Sequence, residues 1–107
     1  FECLSRVFGE FDCVVSGHSG IAFRREVAGK TWINAGAIGL PANNGQRTTE
    51  FVTLFDGHVE FHKLAYDAEQ AHANMVTAGL TQGYHETLLN GYWPSEDVLP
   101  EELRRQA

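Results

Sequence analysis

The sequence predicts an α/β protein from three patterns: an amphipathic helix that leads into an apolar strand, two β-hairpins, and helical periodicity in the last third of the chain. The 107 residues suit a single domain over 1–107, with a core α/β portion over 1–66 and a helical tail over 67–107. Because the first residue is Phe1 rather than Met, we expect the chain to be part of a longer protein, entered in the middle of its fold.

The first two elements are predicted to be a helix and a buried strand. Apolar residues recur at three- and four-residue steps at Phe1, Leu4, Val7, Phe8 and Phe11. Gly9 is expected to end the helix, and the apolar run over 13–17 then fits a strand covered on both faces. Cys3 and Cys13 lack a CxxC spacing, so they are expected to be reduced core residues on this helix and this strand.

Two antiparallel hairpins are predicted next. The first turns at Ala28-Gly29-Lys30, where glycine supplies the positive φ of a short loop. The second turns at Asp56-Gly57, a dipeptide typical of two-residue hairpin loops. Between them, residues 34–46 are rich in glycine and asparagine, which predicts a loop able to wrap around a site. The four strands are predicted over 23–27, 31–34, 49–55 and 58–64.

The last third of the chain is predicted to be helical. Asp67 offers an N-cap with Gln70 three residues on, and Gly79 is expected to end this helix. A second short helix is predicted over 83–90. The two aromatic residues that follow it, Tyr92-Trp93, are expected to pack back onto the body, before one last helical turn near the C-terminus.

Composition excludes several classes of partner. Eight basic and fourteen acidic residues give a net charge of −6, which repels a phosphate backbone, so nucleic acid is a poor partner. No apolar run approaches the ~18 residues needed to cross a bilayer, so we expect no membrane association. Cysteines that are not paired indicate a reducing compartment, and a cytoplasmic location is therefore predicted.

The candidate functional residue is His18, which follows the first predicted strand within Gly17-His18-Ser19-Gly20. Open α/β sheets bind ligands at the carboxyl ends of their strands, and the flanking glycines leave the backbone free to present the imidazole. Two interpretations stay open from the residues alone. The imidazole is either a functional group or a loop side chain hydrogen-bonded to a carbonyl.

Three motifs resemble, in order and spacing, the C-terminal portion of calcineurin-like metallophosphoesterases. They are Gly17-His18-Ser19-Gly20, the run from Trp32 through Asn34-Ala35-Gly36 to Pro41, and the Asp56-Gly57 hairpin. The family has a Gly-His-Thr/Ser-His loop, a strand running into Ile-Asn-Pro-Gly-Ser, and a pair of antiparallel strands. The resemblance covers residues 12–66. It implies that the chain is part of a two-sheet sandwich flanked by helices.

The resemblance also implies a metal-dependent phosphoesterase, in which metal-activated water hydrolyses a phosphate ester. His18 corresponds to a loop histidine that binds metal, while Gly17, Ser19, Asn34 and Gly36 correspond to residues that support the loop. The cofactor would be one or two divalent ions of manganese, iron or zinc, and the substrate a phosphorylated small molecule or a nucleotide. The family's preceding ligand motifs have no counterpart here. The segment alone is therefore expected to be inactive, with the missing N-terminal part of the same protein as its partner.

Two departures from the family pattern favour an alternative. Gly20 stands where the family has a second metal-binding histidine, and Ala35 and Ala37 replace a proline and a serine. One fewer imidazole leaves a second ion with fewer protein ligands. The alternative is a non-catalytic binding or assembly module that retains the phosphoesterase scaffold with an incomplete metal site.

Other polar residues receive weaker assignments. His58, Glu60 and His62 alternate on one strand and are either metal ligands or a solvent-facing edge, with Val59 and Phe61 turned inward. A further three arginines, Arg24, Arg25 and Arg47, are expected to be solvated, although Arg47 lies where it could contact a phosphoryl oxygen. The helical histidines, His72 and His85, receive no functional role.

Overall fold

The computed structural model describes residues 1–105 and confirms the predicted mixed α/β class, with two small sheets and three helices in that range. Its elements are α1 (Glu2–Phe8), β1 (Cys13–Ser16), β2 (Phe23–Val27), β3 (Lys30–Asn34), β4 (Thr49–Phe55), β5 (His58–Leu64), α2 (Ala68–Thr77), α3 (Tyr84–Asn90) and a 3-10 turn (Glu101–Leu103). No helix within this range is long and apolar enough to cross a membrane.

The first sheet has the strand order β1-β3-β2. β2 and β3 form the predicted antiparallel hairpin, in which Val27 pairs with Lys30 across a two-residue turn. β1 runs parallel to β3, with Ser16 beside Asn34 at their carboxyl ends. The segments that leave β1 and β3 therefore start next to each other, and both His18 and Gly36 lie in them.

The second sheet is the hairpin of β4 and β5, which pair as predicted from Thr49 with Leu64 to Phe55 with His58. Among the described helices and strands, β4 and β5 contact only each other. The prediction that Phe61 faces inward is wrong, because this side chain is 43% exposed and none of the described helices packs on β5. His62 is half-buried instead and stacks on Phe51, its cross-strand neighbour, with ring centroids 4.9 Å apart.

The helices α2 and α3 form at the predicted positions and pack against each other. Asp67 Oδ1 accepts a hydrogen bond from the Gln70 backbone N–H at 3.0 Å, which is the predicted N-cap. Gly91 ends α3 in a left-handed conformation. Ala68 and Leu88 are among the few buried apolar residues, so the junction of α2 and α3 forms part of the core.

The aromatic tail packs back as predicted. Trp93 is buried, and its Nε1–H donates to the Pro41 carbonyl at 2.7 Å, so the tail is tied to the glycine-rich loop. Leu99 is buried beyond it. The final turn near the C-terminus is a 3-10 helix over Glu101–Leu103.

The first helix and strand depart from prediction in their burial. Cys3 and Cys13 are free, but both are exposed, so their assignment to the core is wrong. Val15 is half-exposed as well, which contradicts a strand covered on both faces. The reason is topological: β1 is an edge strand with β3 as its neighbour, and no helix among residues 1–105 packs on it. The apolar side of α1 is likewise left open at Phe8.

Candidate functional site

His18 lies in a tight turn directly after β1. The Ser19 backbone N–H donates to the Gly17 carbonyl at 2.8 Å, and His18 adopts a left-handed conformation with φ 72°. This conformation costs a non-glycine residue about 1–2 kcal/mol, and such residues concentrate where a protein binds a ligand. The side chain is exposed, so the turn presents the imidazole to solvent at the edge where the parallel strands end.

Asn34 holds this loop from the end of β3. Its Nδ2 donates to the Ser19 carbonyl at 2.9 Å and to the Ile21 carbonyl at 2.8 Å. Its Oδ1 accepts from Ser16 Oγ at 2.9 Å, and Ser16 Oγ accepts in turn from Trp32 Nε1 at 2.9 Å. Asn34 is 1% exposed, and all of these side-chain groups are paired. One buried carboxamide therefore sets the path of the chain that follows His18.

Gly36 lies against the same loop. It is buried with φ 79°, and a Cβ at this position would be 3.3 Å from the Ala22 backbone nitrogen. On its other side, a Cβ at Gly17 would lie 3.5 Å from the Gly36 carbonyl oxygen. The adjacent Ala35 backbone N–H donates to the Ser16 carbonyl at 2.8 Å. The backbone after β3 thus passes close to the start of the His18 loop, and a side chain at Gly36 would be both tightly packed against Ala22 and strained by the positive φ.

Gly20 is where the loop meets the tail. A Cβ at Gly20 would lie 2.6 Å from Trp93 Cζ2, which is closer than real Cβ atoms come to their neighbours, and a tight 3.1 Å from Leu40 Cδ2. The resemblance has a second histidine at this position. Here the indole of Trp93 occupies the space that such a side chain would need, so the substitution is explained by packing of the tail.

An apolar groove of about 610 Å³ begins beside the loop. Its walls include Ser19, Gly20, Phe23, Trp32, Trp93 and Leu99. Arg24 and Arg25 also line it, and both are exposed on β2. The groove therefore offers an open apolar surface with guanidinium groups at its margin, next to the loop that presents the imidazole.

Arg47 has a structural role. Its Nε donates to the Leu89 carbonyl at 2.9 Å, and its Nη1 lies 3.4 Å from Glu69 Oε1. These contacts tie the glycine-rich loop to α2 and α3. The Arg47 guanidinium, which the sequence offered as a contact for a phosphoryl oxygen, is therefore engaged within the protein.

The strand residues His58, Glu60 and His62 do not form a three-ligand group. His62 Nε2 is 2.8 Å from Thr53 Oγ1 and 3.6 Å from Glu60 Oε2, which leaves His58 outside the contact. Over residues 1–105, the group of at least three potential metal ligands lies elsewhere and consists of His72, His85 and Glu86. The solvent-facing interpretation of β5 is therefore preferred for His58 and Glu60.

The cluster of His72, His85 and Glu86 was missed by sequence reasoning. His72 lies on α2, while His85 and Glu86 lie in the first turn of α3. Their ligand atoms are all within 4.8 Å of one another, and the two imidazoles stack with centroids 5.6 Å apart. No spacing in the sequence signals this group, because it depends on how two short helices fold against each other.

The described residues do not fit a complete metal centre at the His18 loop. A hydrolytic zinc site uses about three protein ligands. Within residues 1–105, no further histidine, cysteine or carboxylate side chains join His18 in a group of three. His18 therefore stays a predicted single ligand, and Gly17, Ser19, Asn34 and Gly36 form the loop and its support in the geometry described above.

No protein-family model and no curated protein matches this sequence. Among solved structures, the chain is similar to a metallophosphoesterase from Sphaerobacter thermophilus, with a TM-score of 0.67 and 20% sequence identity. The match covers 77% of this chain and 44% of that chain. A likeness at this identity concerns the fold, and the chain accordingly shares the fold of part of a metallophosphoesterase.

Proposed function

We propose that this chain is the C-terminal part of a metal-dependent phosphoesterase that hydrolyses a phosphate ester with metal-activated water. The observation that carries the proposal is the presentation of His18 on an exposed left-handed turn, at the carboxyl ends of two parallel strands. The structural likeness to a metallophosphoesterase supports it at the level of fold.

In this proposal His18 supplies one imidazole ligand, and Asn34 and Gly36 hold the loop from below. The proposal requires further ligands from outside residues 1–105, because no group of three potential ligands in that range includes His18. A divalent manganese, iron or zinc ion held there supplies charge for the phosphoryl oxygens and lowers the pKa of a bound water. The proposed compartment is the cytoplasm, where free thiols such as Cys3 and Cys13 persist.

The proposed substrate is a phosphorylated small molecule or a nucleotide. The groove that begins at Ser19 and Gly20 supports this class, because Trp32 and Trp93 offer apolar surface to a ring or an alkyl group. The net charge of −6 disfavours a nucleic-acid backbone as the substrate.

A second candidate function is a non-catalytic binding or assembly module on the same scaffold. It is favoured by one observation: the indole of Trp93 fills the space beside Gly20 where a second histidine would stand. A scaffold with fewer metal ligands binds its metal ions more weakly. A partner that binds in the apolar groove requires no metal ion.

The test compares full-length wild-type protein with the variant His18→Ala in Mn²⁺-dependent hydrolysis of an aryl phosphate. Loss of a direct ligand should lower kcat/KM on the order of 100-fold or more and reduce the bound metal measured by elemental analysis. His58→Ala is the matched control, because His58 is also exposed but lies on β5. His18→Asn repeats the test with a side chain that tolerates the left-handed conformation.

Equal activity in wild type and His18→Ala would remove His18 as a ligand. Absence of metal-dependent hydrolysis in the full-length wild type would instead favour the binding module. These two outcomes are distinguishable, because the first concerns the variant and the second the parent protein.

A further inference from the structure

We propose that His72, His85 and Glu86 form a binding site for a zinc-class transition-metal ion, which clips α2 to α3. This site, the helix-pair cluster, is separate from the His18 loop and does not depend on the proposed phosphoesterase function. It joins one ligand from α2 to two from the first turn of α3.

The spacing of the ligand atoms suits a tetrahedral ion. Glu86 Oε1 lies 3.2 Å from His85 Nε2 and 3.7 Å from His72 Nε2. Ligand atoms at about 2.0–2.1 Å from a tetrahedral zinc lie about 3.3 Å from one another. The two observed separations bracket that value, and all three ligand atoms lie within 4.8 Å of one another. Side-chain rotations that bring the two histidine nitrogens closer together would place all three atoms on one ion.

His72 supplies a second, independent observation. Its Nε2 is buried and has no hydrogen-bond partner within the described part of the chain. Glu86 Oε1 is 3.7 Å away, beyond hydrogen-bond distance. A buried polar atom without a partner costs about 1–3 kcal/mol, and a bound ion would remove this cost. The unpaired nitrogen faces the same carboxylate oxygen that His85 contacts.

The hydrogen bond to His85 indicates which tautomer its imidazole adopts before an ion binds. Its Nδ1 accepts a long hydrogen bond of 3.4 Å from the Gly83 backbone N–H, so Nε2 carries the proton, and Nε2 lies 3.2 Å from Glu86 Oε1. Metal binding at Nε2 requires the other tautomer, with the proton on Nδ1. The exchange gives up the long bond from Gly83 to Nδ1 and the approach of the Nε2 proton to Glu86 Oε1, and it gains a metal–nitrogen bond.

The donor set selects the kind of ion. Two imidazoles and one carboxylate suit zinc and similar first-row ions, whereas Mg²⁺ prefers oxygen ligands. No fourth histidine, cysteine or carboxylate among residues 1–105 joins the group, so water completes the coordination. The Glu86 carboxylate offsets part of the ion's charge, and its 59% exposed side chain lies at the mouth of the site.

The experiment is a calorimetric Zn²⁺ titration of the full-length protein, with the thermal midpoint of unfolding measured in parallel. We expect one saturable Zn²⁺ at this site and a rise in the thermal midpoint, because an ion that binds only the folded state stabilises it. Glu86→Gln keeps the size of an exposed side chain and should weaken this binding on the order of 100-fold or more. His72→Gln should do the same.

Three controls locate the ion. Glu69→Gln changes an exposed acidic residue of α2 that lies outside the cluster. It should leave the affinity for Zn²⁺ unchanged. His18→Ala and His62→Gln should also leave it unchanged. Mg²⁺ in place of Zn²⁺ should give no comparable shift of the thermal midpoint.

The proposal is overturned if the wild type shows no saturable Zn²⁺ binding, or if Glu86→Gln and His72→Gln bind as tightly as the wild type while circular dichroism shows them folded. A Zn²⁺ signal removed by His18→Ala and kept by Glu86→Gln would place the ion at the loop. That result would overturn the helix-pair cluster while leaving the role of His18 intact.

Discussion

Asn34 and Gly20 show how single residues determine the shape of the loop that carries His18. The Asn34 side-chain amide donates to two carbonyls of the loop, and its oxygen accepts a hydrogen bond from Ser16 Oγ. Gly20 provides the space into which the indole of Trp93 fits. The contacts of Asn34 are polar and lie at the end of the first sheet. The contact of Gly20 is apolar and joins the loop to the tail, which is distant in the sequence. Both contacts lie within two residues of His18 along the chain or across the sheet edge that carries it.

Substitution at Gly20 should therefore destabilise the protein through overpacking. We expect Gly20→Ala to lower the free energy of unfolding by about 1–3 kcal/mol, because the new methyl group would lie 2.6 Å from Trp93 Cζ2. Urea denaturation followed by tryptophan fluorescence measures the change. Gly39→Ala is the matched control, since a Cβ there meets nothing within 4 Å, and it should change stability by less than about 0.5 kcal/mol. Equal effects of the two substitutions would contradict the packing of Trp93 on Gly20.

At the scale of elements, nearby residues determine where a helix begins and where a hairpin turns. The turn at Asp56-Gly57 has positive φ at both residues, 48° and 77°, which matches the right-handed twist of β4 and β5. Asp67 caps the N-terminus of α2, but the Gln70 side chain does not hydrogen-bond back to Asp67. Its Nε2 donates to Asn74 Oδ1 at 2.9 Å instead. Only one half of the capping box is formed.

This asymmetry predicts different costs for the two capping residues. Asp67→Ala should lower the free energy of unfolding by about 1 kcal/mol, because the Gln70 backbone N–H loses its acceptor. Gln70→Ala should cost less than about 0.5 kcal/mol, since it removes an exposed contact within the helix. Chemical denaturation of both variants checks the difference. Equal losses would indicate a complete capping box in solution.

At the scale of the whole molecule, the described chain is elongated. It measures 47 × 32 × 24 Å with a radius of gyration of 16.3 Å, against about 13 Å for a compact domain of this length. The buried apolar residues are few: Ile33, Ala68, Leu88, Trp93 and Leu99. Long-range hydrogen bonds also join the tail to the glycine-rich loop. Asn43 accepts from the Trp93 backbone N–H at 2.8 Å and donates to Glu96 Oε2 at 2.6 Å.

Glu96 makes this organisation sensitive to acid. The hydrogen bond from Asn43, followed by contacts with Arg105, lowers the pKa of the Glu96 carboxyl below its usual range. The folded state thus binds the proton less readily than the unfolded chain. The stabilisation is fully present above the ordinary glutamate pKa of about 4.3 and is lost as pH falls through the lower folded value.

We expect Glu96→Gln to reduce the slope of unfolding free energy against pH below about pH 4.3, where this carboxyl exchanges its proton on unfolding. Urea denaturation over a pH series measures the slope. Asp97→Asn is the control, because Asp97 is the next residue and its side chain makes none of the contacts that hold Glu96. Identical slopes in wild type and Glu96→Gln would show that the carboxyl does not couple the tail to the loop.

The elements of this protein were predictable from sequence because their signals are local. A glycine turn, an Asp67 cap and the alternation of β4 and β5 act within a few residues of where they appear. The position of His18 after a strand was predictable for the same reason. The burial of side chains was not predictable in this way. Cys13 and Phe61 are exposed because no described helix packs over β1 or β5.

The sequence by itself determined the order and ends of the helices and strands, and it located the His18 loop. Only the tertiary structure decided that Trp93 fills the space at Gly20 and that His72 meets His85 and Glu86. Both contacts join segments far apart in the chain, through the packing of the tail on the loop and of α2 on α3. Local propensity is blind to such pairings, because they depend on which surfaces the folded chain brings together.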